Sequence, residues 1–179
     1  MFDDIYNIFK LELDGDEFDS DDDALLSGNL AYREILNYKD WKFLKKTYTL
    51  AAGSFDLSVI TDLDKVLDVW VAGRQEPLQK ATFENRFDTS KDYWIDYANN
   101  LIVPINDLSS FQLIIDYKYK PADLQFSTSP IKADLMKPLI AYQMGLNYFR
   151  KDQDLSIYTT LQDKSNRAFN LLIDYNESL

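Results

Sequence analysis

The sequence predicts an α+β fold in which a helical bundle is interrupted by an antiparallel β unit. Three observations carry this expectation. Apolar residues recur at three- and four-residue steps near the start of the chain, they alternate between about residues 48 and 120, and helical spacing returns after Pro130. The expected division is 1–47 as an N-terminal helical part, 48–121 as the β unit, and 122–179 as a C-terminal helical part packing with the first, one compact domain overall. At 179 residues, with 46% hydrophobic and 15% aromatic side chains, the chain can bury a core without staples.

The first helix rests on Phe2, Ile5, Tyr6, Phe9 and Leu13, which share one face at helical spacing. A second helical segment, "DDDALLSGNLAYREILNYKDWKFLKK", places Leu26, Leu30, Ile35, Trp41 and Leu44 roughly on the helical period, with Gly28 weakening its middle. From Tyr48 the period changes to two. "TYTLAAGSFDLS" alternates on both sides of Gly53, and "DKVLDVWVAG" is a valine-rich strand ending at Gly73. "YWIDYANNLIVPI" reads as two strands around Asn99-Asn100, a pair suited to a tight hairpin. "FQLIIDYKYKP" is the most β-rich run and stops at Pro121. Pro138 interrupts the pattern that follows, so a turn and then a helix from about Lys137 to Arg150 are expected. A last helix is expected from about Asp152 to Tyr175, with Tyr158, Leu161, Ala168, Leu172 and Tyr175 on one face.

Composition removes several chemistries. The chain has no Cys and no His, which excludes disulfides, thiol nucleophiles, Cys/His zinc sites and imidazole acid–base catalysis. The formal charge of −11 opposes gripping of a phosphate backbone. The N-terminus is acidic where a signal peptide is basic, and no apolar run approaches a membrane span, so a soluble, unexported protein without a membrane is expected.

The densest charge lies in "LDGDEFDSDDDALL", with Asp14, Asp16, Glu17, Asp19, Asp21, Asp22 and Asp23. A calcium loop fails in both frames. Counting from Asp14 the fifth position is Phe18; counting from Asp19 the sixth is Ala24 and the twelfth Leu30. The pattern suits a helix entrance instead: Ser20 as N-cap, Asp23 three places on, and Asp21 to Asp23 in the first turn, where the helix dipole favours negative charge. No metal site is expected.

Nothing supplies an activated nucleophile. Glu84, Asp88, Asp92 and Asp96 are scattered over strands and loops, and Ser58, Ser109 and Ser110 have no partner base, so no catalytic residues and no cofactor are expected. Trp70, Tyr93, Trp94, Tyr97, Tyr117 and Tyr119 fall in the β unit. They are expected in the core ahead of an interface or sugar-binding surface.

The chain resembles the head-to-tail adaptor (connector, neck or head-completion) proteins of tailed bacteriophages. "DSDDDALLSGNLAYREI" is similar to the early helix of that family, which opens on acidic residues and carries an Asn-x-Ala-x-x-Glu-Ile core, here Asn29, Ala31, Glu34 and Ile35. "DWKFLKKTYTL", with Trp41, resembles its aromatic end. "SFDLSVITDLDKVLDVWVAG" is similar to the family strand that opens on aromatic-x-Leu-Pro, with Ser58 at the proline position. "NNLIVPI" with Pro104, "LIIDYKYKPADL" with Tyr117 and Pro121, and the helical pair "MKPLIAYQMGLNYFRKDQDLSIYTTLQDKSNRAFNLLID" complete the order, from about residue 11 to 174.

The resemblance implies a structural virion protein without catalytic residues. It would form a homo-oligomeric ring, commonly of about twelve copies, under the portal protein. The ring would extend the DNA channel, let DNA pass without sequence-specific binding, and offer a platform to the next tail or neck protein. Its place would be the virion neck at the portal vertex, after synthesis in the host bacterial cytoplasm. The acidic residues Asp14 to Asp23 are then expected to face the lumen or the tail, because negative walls repel phosphates. Tyr158, Leu161, Leu171, Leu172, Ile173 and Tyr175 make the last helix apolar beyond one stripe, which fits a partner interface or burial within the subunit. The alternatives are another neck or tail ring protein, or a stand-alone β-rich binding module for carbohydrate or protein. A carboxylate-pair hydrolase is more remote.

Overall fold

The computed structural model describes residues 1–13, 18–149 and 155–179. It is α+β, in the order helices, strands, helices. The chain divides into two compact units, Met1–Phe43 with Ala122–Leu179, and Leu44–Pro121.

The first unit is helical: α1 (Phe2–Glu12), α2 (Asp21–Asn37), α3 (Ala133–Tyr148) and α4 (Leu155–Glu177). Helix α3 packs against the other three. Its buried residues, including Met136, Leu139, Ile140, Ala141 and Met144, therefore spread over most of its circumference rather than one stripe. A Cβ on its Gly145 would stand 3.0 Å from Leu161 Cδ1, so that glycine sets how closely α3 and α4 approach. Helix α1 buries Phe2, Ile5 and Phe9, as its spacing predicts.

Helix α2 corrects the expectation. Leu26 and Leu30 were expected on its core side, but they are 60% and 51% exposed, and the buried face is Ala24, Gly28, Ala31, Tyr32, Ile35 and Leu36. The cause is Phe2. Its ring lies where a Cβ of Gly28 would be, 2.4 Å from Cε2. Small residues admit that ring, and the helix turns its leucines outward. The helix also ends at Asn37, short of Trp41 and Leu44; Lys42–Leu44 is a 3₁₀ turn. Trp41 is fully buried, and its indole N–H donates to the Ile35 carbonyl at 2.9 Å. That bond folds the chain back over the helix end, where Trp41 and Tyr38 both meet the Phe169 ring.

Helix α3 begins at Ala133 rather than near Lys137, and Pro138 sits inside it. The proline lacks the N–H that would bond the Asp134 carbonyl. The turn before it persists because Leu135 and Met136 both donate to the Lys132 carbonyl at 2.9 Å and Met136 is fully buried. Helix α4 buries Leu161, Ser165, Leu172 and Asn176 along one face. Buried Asn176 accepts the Lys42 N–H at 2.5 Å, which satisfies a polar group that burial would otherwise penalise.

The second unit carries β1 (Lys45–Leu50), β2 (Leu63–Val71), β3 (Tyr93–Asp96), β4 (Leu101–Pro104) and β5 (Leu113–Tyr119). The five strands pair antiparallel, in a three-stranded sheet of order β1-β5-β2 and a β3-β4 hairpin, with one isolated parallel bridge from Lys80 to Tyr93. The stretch after Gly53, expected to alternate as strand, forms turns with one bridge from Asp56 to Leu101. The hairpin loop is Tyr97 to Asn100, longer than the two-residue turn its Asn pair suggests. Asn100 takes the left-handed conformation (φ 53°), while Asp96 accepts the Ala98 and Asn99 N–H groups. One apolar cluster unites both sheets, with Leu113, Ile115 and Tyr117 of β5 beside Val66, Val69 and Val71 of β2, and Tyr93, Ile95 and Ile102 of the hairpin.

Candidate functional site

The acidic entrance of α2 is built from its cap. Ser20 Oγ accepts the Asp23 N–H at 3.1 Å, and the Ser20 hydroxyl donates to the Asp23 carboxylate at 2.7 Å. Such a cap contributes about 1 kcal/mol and holds three Asp residues over the positive end of the helix dipole. Asp19, Asp21, Asp22 and Asp23 are all exposed. Asp14, Asp16 and Glu17 lie outside the described residues. Among the described residues no group of three or more acidic side chains is placed to hold a metal ion.

Beyond that entrance, Asp22, Leu26 and Leu30 follow one another at four-residue steps along the outward side of α2. At about 100° per residue, Leu26 and Leu30 stand opposite the Gly28–Ile35 face that the helix buries. The surface so formed is apolar with an acidic end.

The expected interface residues of α4 separate. Leu161 and Leu172 are core residues, and Tyr158, Ile173 and Tyr175 are half-buried. Tyr175 meets the Phe43 ring and carries the Lys132 ammonium 5.0 Å from its ring centre. Leu171, 59% exposed, faces outward.

The β unit presents a tip that periodicity did not find, on the long connection between β2 and β3. Phe83 and Phe87 are exposed, Phe87 by 80%, with Arg86 between them in sequence. The Arg86 guanidinium lies 4.0 Å from the centre of the Phe83 ring and 4.8 Å from that of Phe87. Its Nη1 donates to the Phe83 carbonyl at 2.7 Å, and Phe83 meets the edge of Trp94. Cation–π contact of this kind is worth about 0.5–1 kcal/mol at an exposed site, enough to prefer one arrangement of the three side chains. The signal in the sequence is the spacing Phe-x-x-Arg-Phe inside a polar loop. Of the other aromatics of the β unit, Tyr93 and Tyr117 are core, Trp70, Trp94 and Tyr119 are half-buried, and Tyr97 is exposed, its hydroxyl accepting from Lys80 at 2.9 Å.

The scattered carboxylates have structural partners. Asp88 accepts the Ser90 N–H, and Asp92 the Gln79 N–H at 2.8 Å. The hydrogen bond from Asn99 holds the Asp96 carboxyl below the usual range, and that from Ser90 does the same for Asp88. The Lys46 ammonium, 2.5 Å away, lowers Asp62, which also accepts from the Tyr117 hydroxyl at 2.9 Å. On α1, the Lys137 ammonium at 2.7 Å holds Asp4 down to about 2. Lowered carboxylates are committed anions, the opposite of the raised acid that hydrolysis needs.

No curated protein matches the chain. The model of the SU10 adaptor protein family matches residues 2–177, and the chain belongs to that family. The resemblance read from the ordered motifs is thereby borne out: this is a bacteriophage adaptor protein, a structural component of the virion that associates with other head and tail proteins.

Proposed function

We propose that this SU10 adaptor protein assembles as a closed ring below the portal, in the virion neck, where it extends the DNA channel and carries the tail. The single observation that carries this reading is the family match over 2–177, nearly the whole chain. Charge supports it. The helical unit has nineteen acidic and ten basic residues, whereas the β unit has eleven and nine. An acidic wall repels DNA phosphates across a Debye length of about 8 Å, so DNA slides past without being gripped. In the ring, Leu171 and the open edges of Tyr158, Ile173 and Tyr175 on α4 serve as a docking surface for a neighbouring head or tail component.

The test is made on particles. An antibody raised against the recombinant chain is used on density-gradient-banded virus, by quantitative blot and by immunogold. The expected result is label confined to the neck at about a dozen copies, the number a single closed cyclic ring of this kind would hold. Absence from the particle overturns the reading.

A further inference from the structure

We infer that the aromatic tip of one copy, Phe83, Arg86 and Phe87, docks on the outward stripe of α2 in a second copy, over Leu26 and Leu30 and beside Asp22 and Asp23. The inference rests on the ring reading and specifies the contact between neighbours.

Three observations carry it. First, both surfaces are apolar, and each of their apolar side chains is more than half exposed. Leu26 and Leu30 stand opposite the buried face of their helix, and Phe83 and Phe87 remain exposed although Phe83 meets the edge of Trp94. Exposed leucines at helical spacing and paired exposed aromatics are what protein interfaces bury at their centres.

Second, the tip is already organised. Arg86 stacks with both rings and is tied to the Phe83 carbonyl, so little conformational freedom is lost on docking. Third, the charges match. The other guanidinium N–H groups of Arg86 have no acceptor among the described residues. Within the tip, Asp88 takes the Ser90 N–H, and the exposed Glu84, held by backbone and Thr82 hydrogen bonds, is further lowered by the Arg86 charge, which leaves the guanidinium free to meet a second carboxylate. On α2, Asp22 and Asp23 precede Leu26 by four and three residues, so their carboxylates border the leucines on the same side. A cation between two rings thus faces two leucines with carboxylates at their rim.

The two surfaces differ from each other, so the contact is head-to-tail. Repetition of a head-to-tail contact closes a ring when the rotation per copy allows it.

The chain lacks cysteine, which makes the test direct. Leu30→Cys and Phe87→Cys are introduced together and separately, and banded particles are treated with a short bismaleimide. The double variant should give a ladder at multiples of the 20.9 kDa chain, and each single variant none. Particles that contain the double variant but give no ladder overturn the inference and leave the ring intact. A dimer band from a single variant overturns it in favour of a two-fold contact. Absence of the wild-type chain from particles overturns the ring reading itself. An independent measurement uses charge: Arg86→Glu should lower incorporation into particles at least tenfold, and Asp22→Arg with Asp23→Arg should restore it. Unchanged incorporation of Arg86→Glu refutes the contact, and melting curves of the purified variants confirm that each is folded.

Discussion

The side-chain amide of Asn29 closes on the backbone of Leu124 at both ends. Its Oδ1 accepts the Leu124 N–H at 2.6 Å, and its Nδ2 donates to the Leu124 carbonyl at 3.1 Å. A side chain of α2 thus supplies the bonds that a neighbouring strand would give. The next turn of the helix completes the hold: Arg33 grips Asp123 with two bonds, and the Tyr32 hydroxyl accepts the Ile131 N–H. The segment leading into α3 is therefore fixed to α2 before α3 starts.

Asn29→Ala leaves both part-buried Leu124 groups without this partner. The expected cost is about 1–3 kcal/mol, seen as a lower denaturation midpoint. Asn29→Asp keeps the acceptor and loses the donor, and should fall between alanine and wild type. Equal stability of all three proteins would refute the clamp.

Gly28→Ala sets helix propensity against packing. Alanine gains about 1 kcal/mol in an ordinary helix interior. Here its Cβ meets the Phe2 ring, which is 1% exposed and has little room to withdraw. The net result should be a loss of about 1–3 kcal/mol, as for other overpacked sites. In a Phe2→Ala background the same substitution should become neutral or stabilising, a coupling that a double-mutant cycle measures.

Adjacent residues on α4 should behave oppositely. Leu172→Ala, at a fully buried position, should cost about 2–5 kcal/mol. Leu171→Ala should change the melting temperature little, within about 0.5 kcal/mol of wild type. If Leu171 docks a partner, its loss should appear as reduced incorporation into particles. Normal incorporation of Leu171→Ala would remove α4 from the proposed docking surface.

The Asp4–Lys137 pair links α1 to α3 and has a pH signature. The folded carboxyl, at about 2, lies below its ordinary value of 3.8. A depressed acid contributes stability above its unfolded pKa and loses it as pH falls through the folded value. The contribution is thus expected to be present at pH 5 and above and to fade between about pH 4 and 2. Lys137→Gln removes the largest cause, so the Asp4 carboxyl should titrate nearer its ordinary value when followed by NMR. An unmoved titration would show that Lys137 does not set it.

The motif Asn29-x-Ala31-x-x-Glu34-Ile35, legible in the sequence, acquires its reasons from these contacts. Asn29 holds Leu124, and Ala31 is fully buried in the face that meets the rest of the helical unit. Glu34 accepts from Gln143 and Asn147 of α3. Ile35 is buried and lends its carbonyl to Trp41. None of these partners is near in sequence except Trp41, so spacing alone marked the positions without explaining them.

The sequence by itself determined the class and order of elements, the antiparallel β unit, the Ser20 cap and the absence of thiol and imidazole chemistry. These depend on period, local hydrogen bonding and composition, all of which act over a few residues. Only the tertiary structure decided which side of α2 faces inward, where α3 begins, which α4 residues are core and where the exposed aromatics lie. Leu26 and Leu30 have the spacing of a core stripe, but the Phe2 ring, from another helix, claims the glycine face. Burial is settled by what a distant segment brings to a surface, and that information is not carried by the period of the surface itself.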